Sequence, residues 1–108
     1  MTERATRTDL EALFARHIGH ERGITARAIA EQLGCTDRLV RELVTELRLD
    51  GTAVCGRPET GYFIAATAEE LEETCEFLRA RAMHSLVLES RMRHVPLVDL
   101  FGQLRLPT

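Results

Sequence analysis

All fourteen fixed positive charges of this chain are arginines, and lysine is absent. A guanidinium is planar and always charged, so it suits two-pronged recognition of carboxylates, phosphates or the major-groove edge of guanine. The densest group of residues with such chemistry is Asp37, Arg38, Arg41, Glu42, Thr45 and Arg48. Their three- and four-residue spacing lines them along the outward side of one helix. The competing use is internal. Arg38 with Glu42, and Arg41 with Glu42 and Glu46, form helix-surface pairs worth only a few tenths of a kcal/mol each.

Other chemistry is sparse. Cys35, Cys55 and Cys75 include no C-x-x-C pair, so they read as reduced thiols buried like small hydrophobes. His17 and His20 stand three apart and share a helix face if the first helix reaches them. Without a nearby Cys or carboxylate pattern they read as surface histidines, and no metal or cofactor is expected. The glycine-containing run Gly56-Arg57-Pro58-Glu59-Thr60-Gly61 lacks the lysine of a phosphate-binding loop. No nucleophile–base pair or paired carboxylates stand out, so the chain is not expected to be an enzyme.

The elements that must position these residues follow from composition and punctuation. A chain of 108 residues with 44% hydrophobic and 29% charged residues is enough for one core, which excludes collagen-like and wholly disordered classes. No apolar run is long enough to span a bilayer, and the N-terminus lacks a signal-peptide stretch, so a cytoplasmic location is expected. Charge is uneven along the chain. Residues 1–57 balance nine Arg with nine acids, residues 58–76 hold six Glu and no Arg, and residues 77–108 hold five Arg and two acids. A net charge of −3 excludes bulk polyanion binding, so any nucleic-acid contact needs a local arginine face.

Residues 1–7 read as a frayed lead. Thr8 and Glu11 form a capping box for a first helix that runs to about His17–Gly19. Ile24 suits a very short strand. Thr25 caps a second helix, Ala26 to Leu33, which Gly34 stops in a left-handed conformation. Thr36 caps a third helix, 37–49, with Val40, Leu43, Val44 and Leu47 as its core stripe. The runs 52–55 and 62–65 read as a hairpin around a loop over 56–61. Thr67 and Glu70 form a second capping box, opening a long helix that reaches about His94 and stops before Pro96. Residues 96–108 are short, apolar and outside any clear element.

Ala28 to Leu43 carries the most specific pattern. Ala30 is small where one helix packs on the next, Gly34 supplies the turn, and Ile29, Leu33, Val40 and Leu43 close the wedge between helices. This resembles a helix-turn-helix. With the hairpin it looks like a winged helix-turn-helix, similar to the N-terminal DNA-binding domain of biotin-operon repressors, over about residues 8–65. The expected class is mainly α with a small β-hairpin: a winged helix-turn-helix domain (1–66), a long C-terminal helix (67–95) and a flexible tail (96–108). The resemblance implies that helix 37–49 is the recognition helix. Thr25, Arg27 and Thr36 lie where such folds touch phosphates, and Arg57 lies near the hairpin tip, where wings meet DNA.

A winged helix followed by one long helix also resembles small bacteriophage or prophage DNA-binding proteins, which act in replication or gene control. The expected function is therefore sequence-specific double-stranded DNA binding in DNA replication or transcription regulation. The alternative is an adaptor that docks a replication or transcription protein. Along the long helix Leu71, Cys75, Leu78, Ala82 and Met92 form a seam interrupted by Ser85 and Glu89, suited to core packing or to a homodimer. At the C-terminus Gln103-Leu104-Arg105-Leu106-Pro107 resembles the peptide that bacterial sliding clamps bind, with Leu104 and Leu106 as anchors, Gln103 at the cleft edge and Pro107 where Phe is commoner. The plain alternative is that this end packs on the long helix or stays disordered.

Overall fold

Helix α1 (Arg7–Phe14) begins two residues earlier than the Thr8 box predicts. Thr6 is its N-cap: the Thr6 hydroxyl accepts from the Asp9 amide, and the Asp9 carboxylate accepts from the Thr6 amide at 2.8 Å. Two overlapping boxes compete here. The earlier one wins because it puts Ala5 before the cap and Leu10 four residues inside, where both join the buried core. Residues 5–7 are thus built in rather than frayed, and Arg7 pairs with Asp50. The structure, a computed structural model, describes residues 4–104.

Helices α2 (Ala26–Leu33) and α3 (Asp37–Leu49) have the predicted boundaries. The hydroxyls of Thr25 and Thr36 accept from the amides of Ala28 and Leu39, each at 3.1 Å. Gly34 ends α2 at φ 68°, a left-handed value that glycine takes without a Cβ penalty. The α3 stripe Val40, Leu43, Val44 and Leu47 is buried, together with Leu39. It meets Leu10, Phe14, Ile29 and Ala30 in one core.

Strands β1 (Val54–Arg57) and β2 (Gly61–Ile64) pair antiparallel, with Val54 opposite Ile64 and Arg57 opposite Gly61. The expected six-residue loop is corrected to the three residues Pro58–Thr60, because Gly56 and Arg57 belong to the ladder. The free edge of β2 is used as well. Ile24 exchanges two 2.8 Å backbone hydrogen bonds with Tyr62, which realises the expected short strand as a single bridge. The Ile64 amide donates to His17 O, and the Gly19 amide donates to Ile64 O. This pairing explains why α1 stops at Phe14: residues 17–19 are drawn out as a partner for β2. Gly61, at φ 87°, is required for the packing. A Cβ there would lie 2.4 Å from the Ile24 carbonyl oxygen.

Helix α4 (Ala68–Arg93) follows, capped by the Thr67 hydroxyl on the Glu70 amide at 3.1 Å. The other half of the expected box differs. The Glu70 carboxylate reaches back to Ala66 N and across to His20. The chain divides into two compact units, one up to Thr74 and one from Cys75 onward. In the second unit α4 ends in a Schellman motif: His94 is left-handed at φ 56°, its amide donates to Arg91 O, and the Val95 amide donates to Ser90 O. Pro96 then caps a short helix α5 (Leu97–Gln103) whose Leu100 is buried. The reading of residues 96–103 as lying outside any element is therefore corrected. The molecule is mainly helical, with one two-stranded hairpin and one long helix. Among the described residues no helix is long and apolar enough to cross a membrane.

Candidate nucleic-acid interface

The outward side of α3 carries the predicted side chains. Thr36 caps the helix and Asp37, half-buried, opens it. Arg38, Arg41, Glu42 and Thr45 are exposed on the side away from the core stripe. Arg38 is the freest of them; its side chain is 90% exposed and touches Glu42 only at 3.5 Å. Glu42 is shared, since Arg4 also lies 3.5 Å from its carboxylate. Such long, exposed pairs contribute little, so both arginines can exchange Glu42 for another anion. Arg41 has no ion pair among the described residues. Its carbonyl accepts from the Thr45 hydroxyl at 3.0 Å, which turns that hydroxyl onto its own helix. Arg27 is exposed in the first turn of α2, beside the Thr25 cap.

Two predicted arginines have partners within the fold. Arg48 is half-buried. Its Nε donates to Val54 O at 2.8 Å, and its guanidinium sits 5.9 Å above the Tyr62 ring, so it clamps α3 to the hairpin. Arg57 stands at the end of β1 rather than in a free loop. It donates to Glu73 at 2.6 Å, lies 5.9 Å over the Phe63 ring, and has a buried Nε with no hydrogen-bond partner among the described residues. The exposed residues at the tip are Pro58 and Glu59, so the tip offers a carboxylate rather than a cation.

Scanned against protein-family models, curated proteins and solved structures, the chain matches none.

Arg4 was not identified from the sequence. Its only signal was a charge in an apparently frayed lead, while Glu42 lies 38 positions away. The His20–Glu70 contact was missed for the same reason. Glu70 accepts from Ala66 N at 2.8 Å, His20 N at 2.9 Å and His20 Nδ1 at 2.6 Å. Those bonds, the Ala66 amide first, hold its pKa down at about 2. His17 and His20 do not share a helix face as expected. They lie beyond α1, and His17 Nδ1 is 2.7 Å from Arg22 O. Among the described residues no group of three potential ligands gathers. Cys55 is buried as expected, whereas Cys35 is half-buried and Cys75 exposed. At the chain end Gln103 closes α5 and Leu104 follows it, exposed; Leu106 and Pro107 lie outside the described residues.

Proposed function

We propose that the chain is a sequence-specific double-stranded DNA-binding protein of the winged helix-turn-helix class, acting in phage, prophage or bacterial replication or gene control. The observation that carries this reading is the pair Arg38 and Arg41 on the outward face of a Thr36-capped helix, neither held by a close ion pair. α3 is the recognition helix in this reading. Arg38 and Arg41 read base edges, with Asp37, Glu42 and Thr45 beside them. Thr25, Arg27 and Thr36 sit at two helix N-termini, which suit phosphate. Arg4 joins them as a further cation. Arg48 and Arg57 act by holding α3 and the hairpin in place.

Arg38→Ala and Arg41→Ala should each cost about 1–3 kcal/mol on the preferred duplex and relax one base position. Arg57→Ala should lower stability and leave base preference intact. Fluorescence anisotropy with a preferred and a scrambled duplex separates these outcomes; loss of base preference in Arg57→Ala would refute the division of roles.

The adaptor reading is favoured by one observation: Glu42 sits between Arg4 and Arg38 and leaves the α3 face weakly charged. The partner would be a replication or transcription protein, with the sliding clamp as the candidate through Gln103, Leu104, Leu106 and Pro107. A salt titration decides between them. DNA binding through two to four arginines gives a slope of about −2 to −4 in log K against log salt. Absence of duplex binding at low salt would leave the adaptor.

A further inference from the structure

The second unit cannot satisfy its own apolar surface. From Cys75 onward, Leu100 is the one hydrophobic residue buried among the described residues. Phe77 is 58% exposed, Leu88 51%, Met92 82% and Val98 72%, with Leu78 and Phe101 also exposed. At roughly 180 Å² per large side chain, these six leave on the order of 600 Å² uncovered, close to the ~800 Å² each partner brings to a standard interface. Their distribution excludes a simple amphipathic stripe. Phe77 and Leu78 are adjacent, as are Leu86, Val87 and Leu88, and steps of 100° spread such runs around the helix. A helix apolar on several sides is normally buried. A unit shorter than about 40 residues normally needs an added staple or oligomerisation to hold together.

We infer that α4 and α5 form a dimerisation element whose occupant is a second copy of the same chain, with α4 packed antiparallel against its counterpart. The charge pattern selects both the partner and the direction. Exposed Glu69, Glu72 and Glu76 lie toward the start of α4, Arg79 and Arg81 near its middle, and Arg91 and Arg93 at its end, where Arg93 also bonds Glu89 at 2.7 Å. Antiparallel pairing sets each acidic end beside a basic end, whereas parallel pairing sets like charges together. The two ends of the helix are electrostatic complements, while Arg79 and Arg81 near the middle stay exposed to solvent. Val98 and Phe101 on α5 extend the covered surface. This inference does not depend on DNA binding.

Sedimentation of the full chain tests it. The expected mass is twice 12.2 kDa at micromolar concentration. Leu88→Glu and Phe101→Glu, both at exposed positions, should shift the mass to that of one chain and leave the first unit's amide-exchange protection unchanged. Direction is read from native Cys75. In an antiparallel pair centred on the middle of α4, the two Cys75 residues stand about 16 Å apart along the axis, too far for a disulfide. Oxidation should therefore yield no Cys75–Cys75 link. A single-chain mass at about 100 µM, a dimer untouched by both substitutions, or a Cys75–Cys75 link on oxidation would each overturn the inference.

Discussion

One carboxylate does the most local work in this chain. Glu70 takes hydrogen bonds from Ala66 N, His20 N and His20 Nδ1, and so fastens the start of α4 to the turn after α1. The bonds favour the charged form, which is why its pKa falls from about 4.5 to about 2. A carboxylate depressed by folding contributes stability above its unfolded value, and that contribution fades as pH drops from 4.5 toward 2. Wild type should therefore exceed Glu70→Gln in melting temperature at pH 7, with the gap closing between pH 4.5 and 2.5. A gap that stays constant over this window would show that the bonds do not favour the ionised form. The capping box Thr67–Glu70 was legible as a sequence pattern, and the Thr67 half of it is present. The carboxylate's partners were not, because His20 is 50 positions away and lies in a segment with no pattern of its own.

At the scale of elements, local punctuation and long-range pairing divide the work. Thr25, Gly34 and Thr36 set both ends of α2 and the start of α3 by hydrogen bonds within four residues, so these boundaries could be drawn from sequence to the residue. α1 could not. Its start depends on burying Ala5 with Leu10, and its end depends on Ile64 pairing with residues 17–19. The hairpin turn was drawn too wide because Gly56 and Arg57 have weak strand character and are held by register instead. α5 has no side-chain cap to announce it, and Leu100 gains its place by burial. These two kinds of control respond differently to the same substitution. Gly34→Ala should cost about 1–2 kcal/mol, because the position is left-handed but open. Gly61→Ala should cost more than about 3 kcal/mol, because the added carbon also displaces the Ile24 carbonyl and breaks its bridge to Tyr62. Denaturant midpoints compare them, and equal costs would contradict the close approach of β2 to Ile24.

For the whole molecule, the arginines sort by what holds them. Arg48 and Arg57 brace the hairpin, Arg7 ties α1 to the end of α3, and Arg38 and Arg41 remain directed outward. The sequence pattern identified the outward pair through helical spacing. Spacing alone does not reveal the internal partners of Arg48 and Arg57, Val54 O and Glu73. With nine arginines against fourteen acids, the first unit can bind DNA strongly only if its contacts are concentrated on base edges and helix N-termini rather than spread over phosphates. The most direct measurement is selection of binding sites from random duplex DNA, run in parallel with wild type and Arg41→Ala. Wild type should yield an enriched motif, and Arg41→Ala should lose preference at one base position. No enrichment with wild type, or an identical motif from both proteins, would contradict α3 as the reading helix.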